Sequence, residues 1–353
     1  MSKTVTLMPA EKRFQVEDGE TVLAAALRAG IHLPYGCRTG SCGTCRAHVL
    51  EGKTAYPAGA PLALTALEVH AGESLLCRAV PETDLKVEAQ EITAMANLRV
   101  KAMPCRVARL DKLAHDVMGL YLRLPAVERL AFLPGQYIDI LLPNQHRRSF
   151  SLANPPHDDQ LLELHVRHVP GGLFSGEVFE HLKEGALLRI QGPLGTFFLR
   201  EDSERPMVMM AGGTGFAPIH AILRHLFENG RKRDIVFYWG ARAARDLYMD
   251  AKLKEWAANQ PGFRYMPVLS EPAPEDGWTG RTGFVHDAVL ADFADLSGHD
   301  IYLSGPPPMV NAARAAFPLH GADPLRIYSD SFDFPAEVRA ALEAAAREAL
   351  SRP

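Results

Sequence analysis

Apolar and polar residues alternate along TVTLMP and KRFQVE, and the turn-like EDGE precedes Thr21, so the chain opens on short strands of a small β-rich unit. Over TVLAAALRAGI the spacing becomes helical. Val22, Leu23, Ala26, Leu27 and Ile31 recur on one face behind a Thr21 cap, and Gly30 lies near the end. KVEAQEI, near residues 86 to 92, reads as a closing strand, and TAMANLRVKAMP has little periodicity. A first domain over 1–93 and a linker over 94–101 follow. Between 102 and 202 the runs VMGLYLRL, QYIDILL, LELHVRHV and LLRIQG are separated by Pro-, Gly- and Asp-rich turns, the pattern of an antiparallel barrel. Over 203–334 the apolar runs MVMMA, DIVFYWG, FRYMPVLS and DIYLSG alternate with helix-like stretches such as APIHAILRHLFENG, which predicts a parallel α/β sheet. The tail over 335–353, rich in Ala, Glu and Arg, predicts a helix with a weak apolar stripe at Val338, Leu342 and Leu350.

Composition narrows the function classes. A chain of 353 residues that is 47% hydrophobic can bury two or three cores. A net charge of -4 gives no basic field for nucleic acid or an anionic membrane. No window approaches 18 apolar residues, and MSKTVTLMPAEKRF has no apolar stretch behind its lysines. The expectation is a cytoplasmic protein without a membrane span or secretion signal. Five cysteines are an odd number, and four of them cluster toward the start, which argues for a metal site over a disulfide framework.

Cys37, Cys42 and Cys45 are spaced C-x4-C-x2-C, and Cys77 follows in LLCRA, the plant-type 2Fe-2S signature. Gly36, Gly40 and Gly43 in YGCRTGSCGTC permit positive φ and bring backbone N–H groups toward sulfur. The long gap before the solitary fourth cysteine does not resemble paired zinc knuckles. Cys105 lacks such company and reads as a core or surface residue. Arg38, Arg46 and Arg78 each follow a ligand cysteine; they could form a positive docking rim for an acidic acceptor, or pair with carboxylates inside the domain.

PGQYIDILL followed by RRSFSLAN resembles the ferredoxin-NADP reductase superfamily, whose flavin motif is R-x-Y/F-S. The resemblance implies that Arg148 pairs with the FAD pyrophosphate and that Phe150 packs on the isoalloxazine. It also implies that Ser149 lies beside them and that Ser151 hydrogen-bonds near flavin N5. LHVRHVPGGLFSGEVF resembles the second flavin segment and implies contacts from His165, Val166, Arg167, Gly171, Gly172 and Ser175 at a helix start. FAD is expected over FMN because the family's FMN members carry the ferredoxin domain at the C-terminus, whereas here it comes first.

MVMMAGGTGFAPIHAIL places Gly212, Gly213, Thr214 and Gly215 between a strand and a helix opened by Pro218, a phosphate-binding turn. It resembles the superfamily's G-G-T-G-x-A/T-P, and DIYLSGPPPMV resembles C-G-P-P-x-M with Gly305, Pro306 and Met309 retained and Ser304 in place of cysteine. Arg242 and Arg245 could receive a 2'-phosphate and Asp246 could hold a free 2'-hydroxyl; members with this loop mostly use NADH, so NADH is expected and NADPH is possible. The resemblance makes Phe332, or else Phe334, the aromatic residue that covers the flavin.

Over residues 3 to 334 the order resembles reductase components of bacterial ring dioxygenases and of phenol and methane monooxygenases, and CDP-6-deoxy-glucoseen reductases. It implies a β-grasp ferredoxin domain, an antiparallel β-barrel FAD domain and a parallel-sheet α/β NAD-binding domain. Hydride from NADH would reduce FAD, and the 2Fe-2S cluster would hand single electrons to a protein acceptor, an oxygenase or a sugar dehydrase. Ser151, Ser304 and Phe332 would stand at the reacting ring, and no general base is required. A carrier module fed by another reductase is the competing reading, and the intact RSFS, GGTGFAP and SGPPPM oppose it.

Overall fold

The computed structural model describes residues 2–143 and 146–332; Phe334 and the expected C-terminal helix lie outside the described residues. The chain forms two compact units, one of residues 1–99 with 195–197 and one of the remainder.

In the first unit, β1 (Lys3–Met8) and β2 (Lys12–Val16) form the expected hairpin, with Val5 opposite Phe14 on the buried face. The helix α1 (Val22–Arg28) starts as the sequence predicts: Thr21 Oγ accepts from Ala24 N at 3.3 Å, and Val22, Leu23, Ala25 and Ala26 are buried. β3 (Arg46–Glu51), β4 (Thr54–Ala55), α2 (Ala66–His70), β5 (Glu73–Leu75), β6 (Val80–Pro81) and β7 (Leu85–Glu88) complete the unit. Its mixed sheet runs β2-β1-β7-β3-β5, with the parallel β1–β7 pair at the centre. The aperiodic stretch after it is anchored by the buried Met95. Residues 195–197 belong here because Thr196 Oγ accepts from Tyr35 N at 3.0 Å, just before the cysteine loop.

The second unit opens with β8 (Lys101–Lys112), whose Met103, Cys105 and Val107 alternate into a core. β9 (Val117–Arg123), β10 (Tyr137–Leu141), β11 (Arg147–Ser151), β12 (Leu162–Arg167), α3 (Leu173–Glu180) and β13 (Leu187–Leu194) follow. Strand order β11-β10-β13-β8-β9-β12 is antiparallel throughout, and a bridge between Leu152 and Leu164 joins the two edges, closing the sheet. Cys105 is a core residue whose thiol burial pushes up to about 12.

The remaining strands are β14 (Met207–Gly212), β15 (Ile235–Ala241), β16 (Phe263–Leu269), β17 (Arg281–Thr282), β18 (Asp300–Gly305) and β19 (Ile327–Ser331). Between them lie α4 (Phe216–Glu228), α5 (Asp250–Asn259), α6 (Val285–Asp292) and α7 (Pro307–Ala316). The sheet β17-β16-β15-β14-β18-β19 is wholly parallel. β14 is hydrogen-bonded to both β15 and β18, so the strand order reverses there, and the crevice at its carboxyl end is a topological switch point. No helix among the described residues is long and apolar enough to cross a membrane.

β18 is buried along its whole length although it begins with Asp300. That carboxylate is answered by Arg233 at 2.9 Å and Arg326 at 3.1 Å. Burial opposes its charge, but hydrogen bonds from Ser203, Arg233 and Arg326 prevail and hold its carboxyl below the usual carboxylate range. A depressed carboxylate contributes stability above its unfolded pKa of about 4, and that contribution fades as pH falls through the lower native value. Asp300→Asn should therefore cost about 3 kcal/mol at pH 7 by leaving Arg233 buried without its charge partner. In thermal melts from pH 7 to pH 3 the gap to wild type should narrow in acid; a gap independent of pH would refute the assignment.

Candidate functional site

Three residues of the cysteine loop adopt left-handed backbone: Arg38 at φ 60°, Gly40 at 84° and Gly43 at 71°. These bends turn N–H groups toward sulfur. Cys37 N donates to Cys42 Sγ at 3.5 Å, and Thr39 N to Cys37 Sγ at 3.4 Å. Gly40 also tolerates a close neighbour, since a Cβ there would meet Pro61 at 2.7 Å. The sulfurs lie in contact as the pairs Cys37–Cys42 and Cys45–Cys77. The Cys42 contact, aided by Ser41 and Thr39 and opposed by burial, pulls the Cys37 thiol down, while the shared sulfur contact and burial push Cys42 and Cys45 up. Four crowded sulfurs, three of them buried and that of Cys37 on a half-buried residue, make the four-cysteine donor set that two irons take.

Two of the three arginines beside these cysteines are engaged within the domain. Arg46 pairs with Glu68 at 2.7 Å and donates to Ala63 O, and Arg78 donates to Ala58 O at 2.7 Å and Thr39 O. Both fasten neighbouring segments to the loop, which favours the intradomain reading over the docking rim.

In the second unit, β11 carries the first flavin motif beside β10. Ser149 Oγ donates to Asp139 Oδ1 at 2.7 Å, and Arg148 is half-buried, donating to Arg147 O. Phe150 packs against the barrel core, its ring 5.4 Å from that of Phe174. Ser151 is buried, and its Oγ donates to Asp330 Oδ2 on β19 at 3.2 Å. Asp330 is the register partner of Ser304, and Ser331 that of Gly305. The hydroxyls of Ser304 and Ser331 are buried with no hydrogen-bond partner among the described residues. Orphaned hydroxyls beside Ser151 and Asp330 fit a polar ring edge, as FAD would present. Phe332 follows directly, half-buried, its N–H bonded to Gly305 O at 2.9 Å. Sequence reasoning named Ser151, Ser304 and Phe332 but not Asp330 or Ser331; the available signal was three polar residues in a row, SDS, at the end of a strand, where they are its buried part.

The second flavin segment separates by face. Val166 enters the barrel core, whereas His165 and Arg167 turn toward the parallel-sheet part. His165 bonds Tyr248 OH at 3.0 Å and Glu163 at 3.1 Å, so its side chain is engaged away from a flavin. Arg167 faces Asp116 at 3.2 Å, and a Cβ on Gly213 would meet its Nη1 at 2.7 Å, which puts the guanidinium at the GGTG turn. Gly172 is the N-cap of α3 and has no side-chain cap bond, which leaves the helix start open for an anion; Gly171 precedes it at φ 74°. Ser175 Oγ closes the turn by accepting from Val169 N at 3.1 Å.

The two nucleotide motifs meet backbone to backbone. A Cβ on Gly215 would lie 2.2 Å from Ser304 O, one on Gly305 2.9 Å from Gly212 N, and one on Gly212 within 2.8 Å of Pro306 and Met309. Thr214 sits in the single 3-10 turn before α4, with Pro218 buried in the helix's first turn, and no side chain caps the start of α4. Its N–H groups are left for a pyrophosphate. Trp239, unforeseen from sequence, donates from Nε1 to Gly213 O at 3.0 Å and stacks on Phe216 at 4.4 Å, bracing the turn. After β15, Arg242 and Arg245 are exposed, while Asp246 is buried with Oδ2 accepting from Ala243 N at 3.1 Å. Asp246 thus shapes its own turn, and the two arginines have no ion pair among the described residues.

Residues 5–82 match the 2Fe-2S iron-sulfur cluster binding domain, residues 104–199 the oxidoreductase FAD-binding domain and residues 209–315 the oxidoreductase NAD-binding domain. The chain is 39% identical over 332 residues to a CDP-6-deoxy-L-threo-D-glycero-4-hexulose-3-dehydrase reductase of Yersinia pestis, spanning 94% of this chain and 99% of that one. The chain belongs to the iron-sulfur flavoprotein reductases. Another member, the reductase component of phenol 2-monooxygenase from a Pseudomonas species, is 38% identical across 89% of each chain. The crystal structure of an Amycolatopsis cytochrome P450 reductase superposes with a TM-score of 0.77 at 36% identity, over 94% of this chain and 98% of that one. This reductase accordingly has 2Fe-2S, FAD and NAD domains in the order expected, and it is an oxidoreductase.

The backbone contact at the switch point yields a sharp expectation. Gly215→Ala puts a methyl into a carbonyl that cannot move without breaking β18, so the melting temperature should fall by several degrees. Gly176→Ala, which meets nothing within 4 Å, should leave it level or raised. Equal melting temperatures for the two variants would sink the packing argument.

Proposed function

We propose that this reductase carries electrons from NADH through FAD and the 2Fe-2S cluster to an oxygenase or hydroxylase component in the cytoplasm. The observation that carries the reading is the Ser151–Asp330 bond beside the orphaned Ser304 and Ser331, at the carboxyl ends of the strands that hold both nucleotide motifs. When bound, FAD takes electrons from NADH in pairs and the cluster passes them on singly. Cys37, Cys42, Cys45 and Cys77 hold the irons. Arg148, the open start of α3 at Gly172, and the backbone of Val166 hold the FAD pyrophosphate and chain, and Phe150 and Phe332 bound the ring. Ser151 is oriented by Asp330 to present its oxygen at the ring edge, while Ser304 and the Gly305–Pro306 turn position the nicotinamide. The start of α4, Gly212 to Gly215 and the reaching Arg167 take the NADH pyrophosphate, and Arg242 and Arg245 meet the adenosine ribose. Domain limits of 1–93, 102–202 and 203–334 go with this assignment.

A sugar-dehydrase acceptor is the second reading, favoured by the 39% identity to the Yersinia pestis reductase. Reconstitution with each acceptor class distinguishes the two.

In an anaerobic titration, NADH should bleach both the flavin and the iron-sulfur absorbance, and NADPH should do so more slowly. In Cys45→Ser the flavin should still respond while cluster absorbance and transfer to acceptor are lost. Bleaching by NADPH alone would overturn the nucleotide assignment. Ser151→Ala should retain full FAD content yet slow flavin reduction by about one to two orders of magnitude in stopped flow, since it removes one oriented polar group from the ring edge. An unchanged rate would remove Ser151 from the reacting edge.

A further inference from the structure

The outward face of β12 carries a second cluster that the electron path does not use. Glu163 and His165 lie on this strand, and His220 on α4 packs against them; all three are buried. We propose that Glu163, His165 and His220 form a binding site for a divalent transition-metal ion, zinc by the chemistry of the donors. One ring nitrogen of each histidine and one Glu163 oxygen lie within 4.8 Å of one another. Ligand atoms of a tetrahedral zinc stand about 3.4 Å apart, so shifts of about 1 Å close the trio on an ion.

The hydrogen bonds around the cluster set the histidines for this role. His220 Nδ1 lies 2.8 Å from Ala153 O, and a carbonyl only accepts, so that nitrogen carries the proton. The opposite nitrogen, Nε2, keeps its lone pair and has no hydrogen-bond partner among the described residues. His165 is held through Nδ1 by Tyr248 OH at 3.0 Å and donates from Nε2 to Glu163 Oε1 at 3.1 Å; on metal binding the Nε2 proton leaves, Nδ1 keeps a proton that it donates to the Tyr248 hydroxyl, and Nε2 and the carboxylate both turn to the ion. Fixing one imidazole nitrogen with an outer partner while the other faces inward is the arrangement that orients metal-binding histidines. Tyr121 OH supports the same carboxylate at 3.2 Å. Arg224 stands 3.9 Å from Glu163 Oε2, but Asp158 and Glu228 hold it at 2.8 Å each, so its charge is already balanced. Two imidazoles and one carboxylate suit zinc and disfavour magnesium or calcium, which take oxygen alone.

An ion here would fasten the strand that carries Arg167 to the helix that opens at the GGTG turn. The test uses holoprotein with iron and flavin quantified, so that the cluster cysteines are occupied. Wild type, His220→Gln, Glu163→Gln and the exposed control His181→Gln are incubated with zinc chloride, dialysed, and assayed for zinc by mass spectrometry. Wild type and control should retain one zinc per chain and gain roughly 5 °C in melting temperature at a hundredfold excess over Kd. The two cluster variants, with unchanged iron and flavin, should retain none and gain nothing. No retention by wild type, or equal retention by all four proteins, overturns the site and leaves a hydrogen-bonded cluster only. Should a cluster variant fail to fold, the zinc-dependent melting shift of wild type decides alone. Because neither readout uses NADH, the reductase assignment stands or falls separately.

Discussion

The parallel-sheet part of the reductase depends on two glycine turns that touch without side chains between them. Gly215 lies against the Ser304 carbonyl and Gly305 against Gly212, so the ends of β14 and β18 approach more closely than any Cβ would allow. That approach opens the switch-point crevice with both motifs on one wall, because the strand order reverses between these two strands. Trp239 and Phe216 then brace the first turn from behind, and Arg167 covers it from the barrel strand. A side chain at the contact would separate the strands and disperse all of these groups.

Buried polar residues in this unit fall into two kinds, and the difference separates architecture from chemistry. Asp300 is answered by two arginines and serves the fold. Ser304 and Ser331 are equally buried on neighbouring strands, yet their hydroxyls have no partner among the described residues. A buried hydroxyl left unpaired costs about 1–3 kcal/mol, which the fold bears where a ligand will supply the bond.

Much of this was legible in the sequence because it was local. The C-x4-C-x2-C spacing, the GGTG turn and the alternation of the barrel strands each state a backbone geometry within a dozen residues, and the three domains appear in that order. What was not legible arises from distant segments. Asp330 gains meaning only when β19 is brought to β11, 179 residues away. His165 and Arg167 read as flavin contacts from their motif, but strand alternation turns them outward from Val166 and toward the nucleotide turn. The arginines after the cysteines suggested a charged rim, and the structure commits Arg46 and Arg78 to Glu68 and to backbone carbonyls, partners that no spacing rule connects. Asp246 similarly caps its own turn.

The two departures from the superfamily pattern, Phe150 for tyrosine and Ser304 for cysteine, become intelligible on the same grounds. At both positions the backbone does the structural work. Phe150 is fixed by the β10–β11 register and by packing on Phe174, neither of which needs a hydroxyl. The Ser304 contact that sets the crevice runs through its carbonyl, so the side chain is free to be sulfur or oxygen without moving β18. The cysteine loop follows the same principle in part, since the N–H groups of Cys37 and Thr39 donate to sulfur beside the hydroxyls of Ser41 and Thr39. A site built from main-chain N–H groups and close backbone approach tolerates side-chain exchange where the glycines stay, which places the strictest demand of this reductase on residues with no side chain at all.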